Sequence, residues 1–84
     1  MTTIKYFAWL RERLNRGEEQ VDLPGSVATV ADLLAWLART DPAAELALAN
    51  PKIIRAAIDS QIVGHEASIR GARVISLFPP MTGG

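Results

Sequence analysis

A single stretch of this chain carries a long apolar helical stripe, and that scarcity decides the architecture. Val30, Leu33, Leu34 and Leu37 fall at i, i+3, i+4 and i+7, the spacing that lines one side of an α-helix. Thr29 stands where an N-cap belongs, and Asp32 three residues on completes a capping-box pattern. The segments with period-2 alternation are all short. Ile4, Tyr6 and Ala8 alternate with Lys5 and Phe7, and Val21 and Leu23 flank Asp22. Ile54, Ala56 and Ile58 alternate with Arg55, Ala57 and Asp59, and a last strand runs from Arg73 to Phe78. One helix can cover one face of one sheet. A doubly wound sheet needs helices on both faces and fails for want of them. The expected class is α+β, with a sheet packed on one main helix.

Local signals divide the rest of the chain. Leu10 and Leu14 lie one turn apart, Glu12 and Arg16 form an i,i+4 pair, and Gly17 suits a C′ position. A short helix is therefore expected between the first two strands, which few residues join and which pair most simply as antiparallel neighbours. Asp41-Pro42 ends the main helix and opens a second piece, Pro42 to Ala49, with Asp41 as cap and Pro42 at N1. Asn50-Pro51 breaks that piece. Ser60-Gln61 reads as a turn into Ile62-Val63, and Gly64 and Gly71 as isolated turn residues.

Composition removes most function classes. Apolar residues make up 49 % of the 84, enough for an ordered core in one small domain. Nine basic and nine acidic residues leave no net charge, which argues against the basic face that nucleic-acid binding needs. Arg11, Arg13 and Arg16 are interleaved with Glu12, Glu18 and Glu19 and read as a solvated face. The absence of cysteine excludes disulfides and thiol catalysis, and His65, the sole histidine, reads as a surface loop residue rather than a zinc ligand. Ser26, Ser60, Ser68 and Ser76 have no His-Asp partnership, Asp22, Asp32 and Asp59 are scattered, and no glycine-rich phosphate loop exists. No catalysis by the chain alone, no metal and no bound cofactor are expected. Met1 to Lys5 lack a signal-peptide pattern, and no run nears the roughly 20 apolar residues of a membrane span. The cytoplasm is the expected compartment.

Two features then ask for a use. The chain ends Pro79-Pro80-Met81-Thr82-Gly83-Gly84, straight after the last strand. Proline cannot donate to a ladder and stiffens the exit, whereas two glycines make a thin tip. The expected organisation is a folded domain over residues 1–78 and a flexible tail over 79–84, with the Gly84 carboxylate as its reactive end. If Ile4 and Tyr6 face the core, Phe7 points the other way; if Ile75 and Leu77 do, so does Phe78. Aromatic side chains on the uncovered face of a two-layer fold point to a partner surface.

Tyr6-Phe7-Ala8 with Leu10-Arg11-Glu12, the helix start Ala28-Thr29-Val30, and the ending Leu77-Phe78-Pro79-Pro80-Met81-Thr82-Gly83-Gly84 together resemble the small subunit of molybdopterin synthase, the MoaD family. The likeness runs over essentially the whole chain; Trp9 and Ser76 are not family signatures, and the loop from Gly64 to Gly71 matches poorly. The resemblance implies a ubiquitin-like β-grasp fold with a mixed sheet curled around the long helix. It implies a sulfur carrier whose Gly84 carboxylate is activated with ATP by an adenylating enzyme of the ubiquitin-activating type and converted to a thiocarboxylate. It further implies that Pro79, Pro80, Met81, Thr82 and Gly83 enter the active site of the synthase large subunit, in a heterotetramer. There the sulfur would pass to cyclic pyranopterin monophosphate, in molybdenum cofactor biosynthesis. Phe7 and Phe78, with Ile62 by the same resemblance, would dock on that subunit. A thiamine-pathway or tRNA-thiolation carrier shares the Gly-Gly end, as does a ubiquitin-like protein modifier; these stay open as alternatives.

Overall fold

The computed structural model describes residues 1–80; Met81, Thr82, Gly83 and Gly84, on which the tail expectations fall, lie outside the described residues. The elements are β1 (Thr2–Tyr6), α1 (Ala8–Leu14), β2 (Glu18–Val21), α2 (Val30–Thr40), α3 (Pro42–Ala47), a 3-10 turn (Pro51–Ile53), β3 (Arg55–Ile58), β4 (Gln61–Val63) and β5 (Val74–Phe78). The strands form one mixed sheet in the order β2-β1-β5-β3-β4, with β1 and β5 parallel and the other pairs antiparallel. This is the β-grasp arrangement of the expected α+β class.

The apolar stripe of α2 makes the second layer. Val30, Leu33, Leu34 and Leu37 are buried in one cluster with Ile4 and Tyr6 of β1, Ile75 and Leu77 of β5, and Ile54 and Ala56 at β3. Leu10 and Leu14 of α1 and Ala44 and Ala47 of α3 close its ends. Each buried leucine or isoleucine contributes roughly 1.5–3 kcal/mol over its exposed state.

The start of α2 is fully satisfied. Thr29 Oγ1 accepts from the Asp32 amide at 3.1 Å, and Asp32 Oδ2 accepts from the amides of Ala28 and Thr29 at 3.1 and 3.2 Å. The Ala28 amide bond first, with the Thr29 contacts behind it, lowers the Asp32 carboxyl below the usual range. The amides of Val30 and Ala31 donate to the carbonyls of Ala67 and His65 at 3.1 and 2.9 Å. The loop after β4 thus caps the helix from outside.

Several boundaries differ from the sequence expectation. Ala8 does not continue β1: it is exposed, its φ is +55°, and it turns the chain into α1. The ladder ends one residue earlier, where the Phe7 amide donates to Leu77 O at 3.1 Å. The left-handed residue closing α1 is Asn15 (φ +57°) and not Gly17, because the helix stops at Leu14 and asparagine tolerates that region. Arg16 therefore lies past the helix, and the Glu12–Arg16 pair gives way to Arg16–Glu19 at 2.8 Å. β2 covers Glu18–Val21 rather than Val21–Leu23, since Val21 already faces Thr2 at the start of β1. α3 stops at Ala47, two residues short of Ala49. The β3–β4 turn is Asp59-Ser60, both at positive φ (47° and 77°), so Gln61 belongs to β4.

Candidate functional site

The uncovered sheet face follows from the registers. Lys5 lies beside Ser76, Ser76 opposite Ala57, and Ala57 opposite Ile62. Phe78, one step on, lies opposite Arg55. Small side chains at Ser76 and Ala57 make a low floor between taller neighbours. Ile62 is 73 % exposed and Phe7 is 44 % exposed, whereas Phe78 is half-buried.

Two grooves meet at the end of β5. One, of about 520 Å³, is lined by Phe7, Trp9, Ile53, Phe78, Pro79 and Pro80. The other, of about 530 Å³, lies across β3 and is lined by Lys52, Arg55, Ile62, His65, Glu66 and Pro80 among others. Pro79 is buried and Pro80 half-buried, so the root of the tail rests between the two. The structure therefore brings Phe7 and Phe78 together with both prolines, and sets Ile62 in the adjoining groove. Ile53, 40 % exposed and bordering both grooves, was not legible as a site residue. The Asn50-Pro51 break that removes it from the β3 pattern was the available signal.

The left-handed turn at Ala8 places Phe7 and Trp9 on either side of it beside the tail root. Trp9 is half-buried, and the Arg13 guanidinium stacks 4.7 Å from its ring centre. His65 is not the free surface residue expected: it is half-buried, and its Nε2 donates to Ile54 O at 2.6 Å. That bond fixes the groove wall where β3 begins.

On the covered side, a chain of polar contacts holds the sheet to the helices. Tyr6 Oη donates to Glu19 Oε2 at 2.6 Å, and Arg16 Nε donates to the same oxygen at 2.8 Å. Arg16 also donates to Asp41 Oδ2. Burial, followed by the Glu19 carboxylate, pushes the Tyr6 phenol far above its ordinary range. Burial opposes the charge on Arg16, but its bonds to Asp41 and Glu19 outweigh that and raise it. These groups are a strut rather than a reaction centre. Among the described residues no three His, Asp or Glu side chains gather as metal ligands, and no helix is long and apolar enough to cross a membrane.

Among the described residues the arrangement is one suited to binding: an apolar face and two grooves, with Pro80 lining both. The ThiS family model matches residues 4–84. The crystal structure of Haloferax volcanii small archaeal modifier protein 1 is similar at a TM-score of 0.74 and 26 % identity, covering 95 % of this chain and 97 % of that one. A crystal structure of SAMP1 from Haloferax volcanii gives 0.72 and 26 %, covering 99 % and 98 %. A putative molybdopterin converting factor, subunit 1, from Pyrococcus furiosus gives 0.73 with 21 % identity over 95 % and 97 %, a likeness of fold alone. No curated protein matches the chain in sequence.

Proposed function

The chain belongs to the ThiS family, and on that premise we propose that it is the sulfur-carrier subunit of a molybdopterin synthase. The observation that carries this reading is the place where β5 ends. Phe78 stands on the open face and lines one groove, and Pro80 lines both, so a protein that binds this face is well placed to receive the residues after Pro80. The six residues from Pro79 to Gly84 span at most about 20 Å, enough to reach a buried site on that partner.

The chemistry asks little of the carrier itself. A C-terminal carboxylate, with a pKa near 3.3–3.7, is an anion at neutral pH and a poor electrophile. An adenylating partner joins the Gly84 carboxylate to the α-phosphate of ATP and releases pyrophosphate. A sulfur nucleophile then attacks the acyl carbon, AMP leaves, and the thiocarboxylate forms. In the large subunit that sulfur goes to cyclic pyranopterin monophosphate, and two such transfers complete a dithiolene. A side chain at Gly84 would crowd the attacked carbonyl, and one at Gly83 would thicken the tip. Acids, bases and oxyanion donors come from the partners, and Phe7, Ile62 and Phe78 supply the docking face. Residues 1–78 are the address and 79–84 the handle.

Intact mass spectrometry after expression beside the adenylating enzyme, with ATP and a sulfur source, tests this. The expected product is heavier by the exchange of one oxygen for sulfur, and it feeds molybdopterin formation by the large subunit. An unchanged mass overturns the carrier reading. A second reading is favoured by the likeness to small archaeal modifier protein 1: attachment of Gly84 to lysines of other proteins. Conjugates that survive reducing agent are its signature. A carrier for thiamine or tRNA thiolation uses the same first two steps and differs in the acceptor.

A further inference from the structure

The segment from Pro79 to Gly84 has no charged side chain, so apart from the Gly84 carboxylate it offers a partner shape rather than charge. Charge at the tail root comes from elsewhere. Arg55 lies directly opposite Phe78 in the β3–β5 ladder and is exposed on the open face. Lys52 is the middle residue of the 3-10 turn and is also exposed. Both line the groove that Pro80 and Ile62 share. Among the described residues neither pairs with a carboxylate, because both salt bridges belong to Arg16. The acid in that groove, Glu66, is folded back over Gly64, with Oε1 2.6 Å from where a Cβ there would sit. His65 is engaged with Ile54 O.

Exposed cations are ordinarily just solvated. These two flank exposed apolar side chains, Ile53 and Ile62, in the groove that Pro80 also lines. We propose that Lys52 and Arg55 form a cationic collar that recognises an acidic lip around the mouth of the tail site on the adenylating partner. This rests on the reading that Gly84 is adenylated, and it names the partner chemistry that admits the tail. The arginine fork suits a carboxylate bidentately, whereas the lysine acts as a point charge. Charges at the rim of such a contact govern encounter and selectivity more than the chemical step. The collar therefore acts on the apparent KM of the carrier and leaves kcat alone.

The test measures ATP-dependent adenylation of the full chain by the adenylating enzyme of the same cell, read as pyrophosphate exchange, for wild type, Arg55→Glu, Lys52→Glu and Arg55→Lys. The glutamate variants are expected to raise KM on the order of tenfold at low salt with kcat within about twofold. The effect should shrink as salt shortens the screening length from about 10 Å at 0.1 M to about 3 Å at 1 M. Arg55→Lys should recover most of the loss. Unchanged KM in the glutamate variants while wild type is adenylated overturns the collar and leaves the carrier reading standing. A loss that falls on kcat, or that ignores salt, overturns it as well. Wild type that is not adenylated at all overturns both.

Discussion

Arg16 and Asp41, 25 residues apart in sequence, are joined by a guanidinium–carboxylate hydrogen bond that locks the turn before β2 to the corner between α2 and α3. Asp41 serves that corner twice, since its Oδ1 also accepts from the Ala43 amide at 3.0 Å and caps α3. The Arg16 bond, ahead of the backbone contacts, holds the Asp41 carboxyl below the usual range.

That shift has a definite sign. A carboxyl whose pKa is lowered on folding adds stability that is complete above its unfolded pKa, about 3.9, and that fades as pH falls through the folded value. Asp41→Asn keeps the cap but removes the charge. It should cost roughly 1 kcal/mol at pH 7, a modest figure because the pair is a quarter to a third exposed. Urea titrations should show the gap from wild type narrowing toward pH 3. An equal gap at both pH values would deny the ion pair its role.

The β3–β4 turn carries strain that glycine would relieve at one of its two positions. Ser60 sits at φ +77° in the β3–β4 turn, where glycine is favoured after an acidic residue. Ser60→Gly should stabilise the domain by about 0.5–1 kcal/mol. Asp59→Gly should not, because Asp59 Oδ1 accepts from the amides of Val74 and Arg73 at 3.0 and 3.3 Å. Denaturation midpoints of the two variants moving in the same direction would contradict this account.

Replacing Ile62 or Phe7 by glutamate removes exposed apolar area from the proposed docking face without touching the core. Both variants should melt close to wild type. Binding to the synthase large subunit, followed by calorimetry, should weaken by roughly 1.5–3 kcal/mol for each anchor that is buried on docking. Full affinity with an unchanged melting temperature would show that the face is merely exposed.

Deleting Gly84, or adding a residue after it, should abolish thiocarboxylate formation and sulfur transfer while leaving the melting temperature unchanged, because among the described residues the core cluster draws on none later than Leu77. Molybdopterin produced by the shortened carrier would end the proposal. A lowered melting temperature would instead assign the tail a structural part.

The outward direction of the proposed docking residues was legible to the extent that strand alternation is rigid. With Ile4, Tyr6, Ile75 and Leu77 inward, Phe7 and Phe78 had to turn from the core, and the structure places them so. Ile62 came from resemblance alone, since β4 spans three residues and shows no periodicity. Lys52, Ile53 and Arg55 went unmarked because a 3-10 turn and a strand end meet the tail root only across the sheet.

By itself the sequence determined what depends on neighbours along the chain. The α2 stripe, its Thr29–Asp32 box, the Asp41-Pro42 corner and the strand content rest on periodicity and on side chains reaching amides two or three residues away. Tertiary structure decided what depends on distant partners. It ended β1 after Tyr6, where the Phe7 amide makes a last bond to Leu77 O and Ala8 turns the chain at φ +55°, and it closed α1 at Asn15. It drew Arg16 from Glu12 to Glu19 and Asp41 because the helix had already ended. It also used the carbonyls of His65 and Ala67 to finish the N-terminus of α2. Leu77 for the Phe7 amide, Asp41 for Arg16, and His65 and Ala67 for the start of α2 are partners many residues away, and only the assembled fold brings them within bonding distance.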